Sequence, residues 1–88
     1  MISQLDKQEL SLTLGKNYSA AILLFLKSKE IVNPSTREPY SDSFIRQVMN
    51  GNKENVDIEL SIWELYEQRQ KDIARIAAIK KSTQPSHP

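Results

Sequence analysis

The chain has 88 residues, 39% hydrophobic and 26% charged, the range of one ordinary globular domain with a single modest core. It has no cysteine, which excludes disulfides and thiolate metal sites and is consistent with a reducing cytosol. Twelve Lys and Arg oppose eleven Asp and Glu, a net charge of +1, so the chain lacks the overall basic excess of a dedicated nucleic-acid binder.

Met1 to Lys7 has neither a basic start nor an apolar run leading to a small-residue cleavage site, so no signal peptide is predicted. The most apolar stretch, Ala20 to Leu26, is far short of the roughly 20 residues that cross a bilayer as a helix. A cytoplasmic protein without membrane contact is expected.

The first predicted element runs from Ser3 to Leu14. Ser3 is a candidate N-cap, with Asp6 three residues on in the place of a capping-box acid. A short helix broken at Gly15 is the preferred reading, although the alternation Leu10, Leu12, Leu14 also fits a strand. The second element spans Asn17 to Glu30. Asn17 is its predicted N-cap, the run Tyr18 to Leu26 is apolar almost all round, and Lys27 and Lys29 suit the negative end of the helix dipole. This predicts a buried central helix.

Residues 31–40 form a predicted loop, since Pro34 and Pro39 flank Ser35, Thr36, Arg37 and Glu38. A third, short helix follows, with Ser41 as N-cap, Asp42 in the first turn and Asn50-Gly51 as the stop. Phe44, Ile45 and Val48 share its apolar side, opposite Ser43, Arg46 and Gln47. The fourth helix starts near Asn55, with Val56, Leu60 and Trp63 predicted on its apolar face and Ile58, Ile62, Leu65 and Tyr66 broadening it. After the polar run Glu67 to Asp72, the stripe resumes at Ile73, Ile76 and Ile79. Either one helix projects beyond the core or two helices meet near residue 70. The expected organisation is an all-α domain of four or five helices over residues 1–81, with a disordered tail at 82–88.

No GxGxxG, P-loop or HExxH pattern occurs. The one histidine, His87, lies between prolines in the tail, without an acid–base partner. Glu59 and Glu64 stand at i, i+5, a spacing that does not bring two carboxylates together on a helix. No enzymatic activity, cofactor, metal or small-molecule substrate is expected.

The stretch Tyr40-Ser41-Asp42-Ser43-Phe44-Ile45-Arg46-Gln47-Val48-Met49-Asn50-Gly51-Asn52-Lys53-Glu54-Asn55 is the most informative. It resembles the recognition-helix region of small phage-repressor-like helix-turn-helix DNA-binding proteins, through Ser41, Phe44, Ile45, Val48, Met49, Asn50 and Gly51. Leu14 to Ile22 is similar to the first helix of that motif, and Val56 to Leu65 to the packing helix after it. The motif would occupy residues 17–51, with the loop at 31–40 inserted between its two helices.

The resemblance implies sequence-specific binding of duplex DNA, with transcriptional regulation as the role. It places Ser43, Arg46 and Gln47 toward base edges, and Ser41, Asn52, Lys53 and Asn55 toward phosphates. A recognition helix needs one apolar face to dock it and one polar face for the major groove. An arginine there can bond guanine O6 and N7 together. Arg37 in the loop is a further candidate for a backbone contact, while Asp42 brings a carboxylate close to where phosphates would lie.

Trp63 and Tyr66 stand at the helical spacing of core or interface residues rather than of base-stacking ones. Ile73, Ile76 and Ile79 have two readings of equal weight: an interface with a partner helix, as in a homodimer, or a stripe folded back on the first helix. The alternative for the whole chain is a helical protein-interaction module that uses the loop or the last helix and does not bind DNA.

Overall fold

Ser3 and Asp6 build the first helix start. In the computed structural model, which describes residues 1–83, the Ser3 hydroxyl accepts from the Asp6 amide at 3.1 Å. The Asp6 carboxylate accepts in return from the Ser3 amide at 3.1 Å, so two orphan donors are satisfied reciprocally. Helix α1 runs Gln4–Leu14 and ends at Gly15, whose φ of 86° lies in the region open chiefly to glycine. Leu10 and Leu14, four apart, are buried, whereas Leu12 is 87% exposed. The strand reading of that alternation is thereby excluded.

Helix α2, Tyr18–Ser28, buries Ser19, Ile22 and Leu26, a row at i, i+3, i+7. The expectation of a helix buried all round is corrected: Leu24 is 68% exposed and Ala20 also faces out. A domain of this size has neighbours for only one side of α2. Asn17 makes no side-chain cap; its carbonyl accepts the amide of Ala21 instead. At the other end, the amide of Ile31 reaches the carbonyl of Leu26 and that of Glu30 reaches Lys27, the Schellman pattern. Glu30, at φ 58°, supplies the left-handed residue that the absence of glycine had hidden.

The connection 29–41 is folded on itself. The Asn33 side chain accepts the amide of Ser35, its carbonyl accepts the amide of Arg37, and its amide donates to the carbonyl of Glu38. Tyr40 closes the loop into the core and stacks on Phe44 with ring centres 5.3 Å apart.

Helix α3, Asp42–Met49, is capped by Ser41, whose hydroxyl accepts the Phe44 amide at 3.1 Å. Ile45, Val48 and Met49 are fully buried, with Phe44 half-buried beside them. A second Schellman turn ends α3: Asn52 donates to the Gln47 carbonyl and Gly51, at φ 79°, to that of Val48.

Helix α4 is one continuous helix, Val56–Thr83, which settles the choice between one helix and two. Its core row is Ile58, Ile62 and Leu65 with Ser61 between them. The predicted row is corrected, since Val56 is 79% and Leu60 58% exposed. Val56 sits in the first turn at the margin of the fold, so the row beginning at Ile58 takes the centre. Ser82 and Thr83, expected in the tail, continue the helix; His87 and the other residues of 84–88 lie outside the described residues.

Helices α1 and α4 run side by side in the same direction. The Tyr66 hydroxyl donates to Glu9 at 2.6 Å and the Gln70 amide to Thr13 at 3.0 Å, four residues further along both helices. Since α1 stops at Gly15, α4 outruns its neighbour there, and from Glu67 to Ser82 every residue is exposed. The described chain measures 61 × 27 × 18 Å. Ile73 and Ile76 are 52% and 53% exposed, so the reading in which this stripe folds back on α1 is corrected. Trp63 and Tyr66 meet edge to face at 5.4 Å and pack partly buried against the core. The described residues form an all-α fold of four helices, none of them long and apolar enough to cross a membrane.

Candidate nucleic-acid interface

The period of α3 sorts its residues into two sides. Ile45, Val48 and Met49 anchor it against α2 and α4, which leaves Ser43 and Arg46 exposed and Gln47 half-buried on the opposite side. The three residues expected to face bases therefore share one face. Ser41 is exposed at the start of that face, although its hydroxyl oxygen already accepts one amide. Asn52 and Lys53 are exposed just past its end, their amides turned back onto the Gln47 carbonyl.

Asn55 is placed differently from the expectation. Its side-chain oxygen accepts the Ile58 amide at 3.1 Å and its side-chain nitrogen donates to the Tyr40 hydroxyl at 3.3 Å. Its own amide donates to Glu59 at 3.0 Å. Asn55 is thus the N-cap of α4, and its polar atoms are engaged within the fold. Arg37 is exposed on the loop at φ 60°, a left-handed backbone uncommon for arginine.

The electrostatics of the face centre on Asp42. Arg46 Nε donates to Asp42 Oδ2 at 2.8 Å, an i, i+4 pair between exposed side chains. A hydrogen bond from the Ser19 hydroxyl of α2, and then the Arg46 guanidinium, hold the Asp42 carboxyl below its ordinary range. Lys7 of α1 adds a cation at the far end by donating to the Asn50 side chain.

No family model, no curated protein and no solved structure matches the chain.

Two participants escaped the sequence reading. Lys7 is far from α3 in sequence, and nothing in its own segment points there. Ser19 lies inside an apolar run where a serine reads as filler. The Asp42–Arg46 pair had a legible signal in its i, i+4 spacing. Among the described residues no group of three His, Cys, Asp or Glu side chains is placed to hold a metal ion.

Proposed function

We propose that the protein binds duplex DNA, with α3 as the recognition helix in the major groove, and acts as a cytoplasmic transcriptional regulator of the repressor-like helix-turn-helix type. The observation that carries this reading is the division of α3. Ile45, Val48 and Met49 on its apolar side are fully buried, while Ser43, Arg46 and Gln47 line the other side between Ser41 and the pair Asn52 and Lys53. A helix docked on one face and polar on the other has the form that groove recognition requires. The link 29–41 is several times longer than the 3–4-residue turn of the ordinary motif. Its folded-back course takes up that length while α3 still packs on α2.

Fluorescence anisotropy with a mixed-sequence duplex over a salt series tests this reading. Phosphate contacts release counterions, so binding is expected to weaken steeply with salt, with a slope of about −0.9 per phosphate neutralised. Absence of binding at low salt contradicts it.

A second reading rests on a different observation, the exposed row of Ile73 and Ile76 on the part of α4 that outruns α1, with Ile79 48% exposed beside it. It makes this stretch the interface of a homodimer, which suits paired half-sites on DNA. Without DNA binding, the same surface would make the chain a protein-interaction module. Sedimentation equilibrium tests the homodimer, since a monomer at all concentrations rejects it.

A further inference from the structure

Asp42 is out of place on a surface that faces phosphates, unless its carboxylate has a partner that matters more. It has one: Arg46 Nε donates to Asp42 Oδ2 at 2.8 Å, an i, i+4 pair on α3.

We infer that Asp42 is a positioning residue for Arg46, holding its guanidinium so that α3 selects guanine over the other three bases. The inference rests on the duplex reading above and adds what holds the arginine to a guanine edge.

The chemistry follows from the donors left over. A guanidinium is planar and carries five N–H donors in a fixed fork. Asp42 occupies the donor on Nε. The two terminal amino groups, which project further from the helix, keep their hydrogens. A fork of two donors needs two acceptors side by side on a base edge. In the major groove only guanine offers these, at O6 and N7. Adenine pairs an acceptor with a donor, thymine an acceptor with a methyl group, and cytosine presents a donor. An arginine free to rotate can turn away from a mismatched edge or bond a phosphate instead. One tethered through Nε has fewer such escapes, so the wrong base leaves donors unpaired.

The carboxylate also repels phosphates on every sequence. Asp42 therefore lowers affinity for duplex DNA in general while raising discrimination at one position. These two effects pull apart when it is replaced, and the test depends on that.

The probe is a pool of duplexes with a randomised central segment, with the bound fraction sequenced. The wild type is expected to enrich guanine at one position by about tenfold or more, the discrimination of one bidentate pair. Asp42→Asn is expected to bind the unselected pool more tightly yet lose most of that enrichment. Arg46→Lys, which keeps the charge and loses the fork, is expected to hold the pool within a few-fold and to lose the enrichment. It leaves Asp42 and the helix start intact, so it stays informative if Asp42→Asn lowers the melting temperature. Guanine enrichment unchanged in a folded Asp42→Asn overturns the inference, as does its survival in Arg46→Lys. A wild type that binds duplex DNA without guanine enrichment also overturns it while leaving the proposed function standing. A wild type that binds no duplex removes both.

Discussion

A Cβ on Gly51 would stand 2.7 Å from the carbonyl oxygen of Ile2. The turn that ends α3 is thus pressed against the backbone of the buried Ile2, and glycine meets two demands there at once: a φ of 79° and this close approach. Gly51→Ala is expected to cost at least about 1–2 kcal/mol from the left-handed backbone alone. Thermal melting should fall by roughly 4–16 °C at the usual conversion for a domain of this size. Gly51→Asn tolerates the backbone but still carries a Cβ, so it should recover only part of the loss. Full recovery in Gly51→Asn would show that the contact with Ile2 contributes nothing.

Asn55 separates folding from binding. As the N-cap of α4 and the donor to Tyr40, it supports the junction between the loop and the last helix. Asn55→Ala is expected to cost about 1 kcal/mol, as lost caps do. DNA affinity measured well below the melting temperature should stay unchanged, since its polar atoms are engaged within the fold. A tenfold loss of affinity with unchanged melting would instead restore Asn55 to the phosphate contacts.

Asp42 and Tyr66, shifted in opposite directions, act on opposite arms of the stability–pH curve. The Asp42 carboxyl is held low by Ser19 and then Arg46, so its contribution is present above the unfolded value of about 4 and is lost as pH falls through the lower folded value. Tyr66 is held high, first by donating to Glu9, so its contribution is present below about pH 10 and is lost above it. Asp42 is exposed and Tyr66 is only half-buried, so their effects are small. Urea titrations across pH should show the acid arm flatten in Asp42→Asn and the alkaline arm flatten in Tyr66→Phe. Unchanged arms in both variants would contradict the assignments.

The far part of α4 predicts a surface substitution with little cost. Ile73 and Ile76 are about half exposed and lie past the end of α1. Ile73→Ser together with Ile76→Ser should leave the stability of the dilute protein within about 0.5 kcal/mol. Sedimentation at higher concentration should show any self-association reduced. A large loss of stability at concentrations where the protein is monomeric would mean that these residues pack within their own chain.

Much of this architecture was legible where one residue has one local task. Ser3 with Asp6, Ser41 ahead of α3, and Asn50-Gly51 after it are chemical signals that act within a single turn, and each stands at the helix end expected. The inward row of α4 was not legible, because Val56, Leu60 and Trp63 compete with Ile58, Ile62 and Leu65 on one helix, and only the packed neighbours decide between them. Glu30 in a left-handed turn was hidden for a related reason, since Ile31 seated on the core fixes the turn without glycine. On the candidate face, the grouping of Ser43, Arg46 and Gln47 follows from helical period alone. The capping place of Asn55 is not legible in the sequence, because Asn in a loop suits a phosphate contact and a helix cap equally well. The parts played by Ser19 and Lys7 depend on how whole helices meet, which no local pattern encodes.

The most direct test of the central claim is an amide-resolved NMR titration of the full chain with a short mixed-sequence duplex. Shifts concentrated in residues 41–47 and 50–53, with those around 71–82 smaller, are the predicted result. Shifts confined to α4, or none at low salt, would contradict the assignment of α3 as the DNA-reading helix.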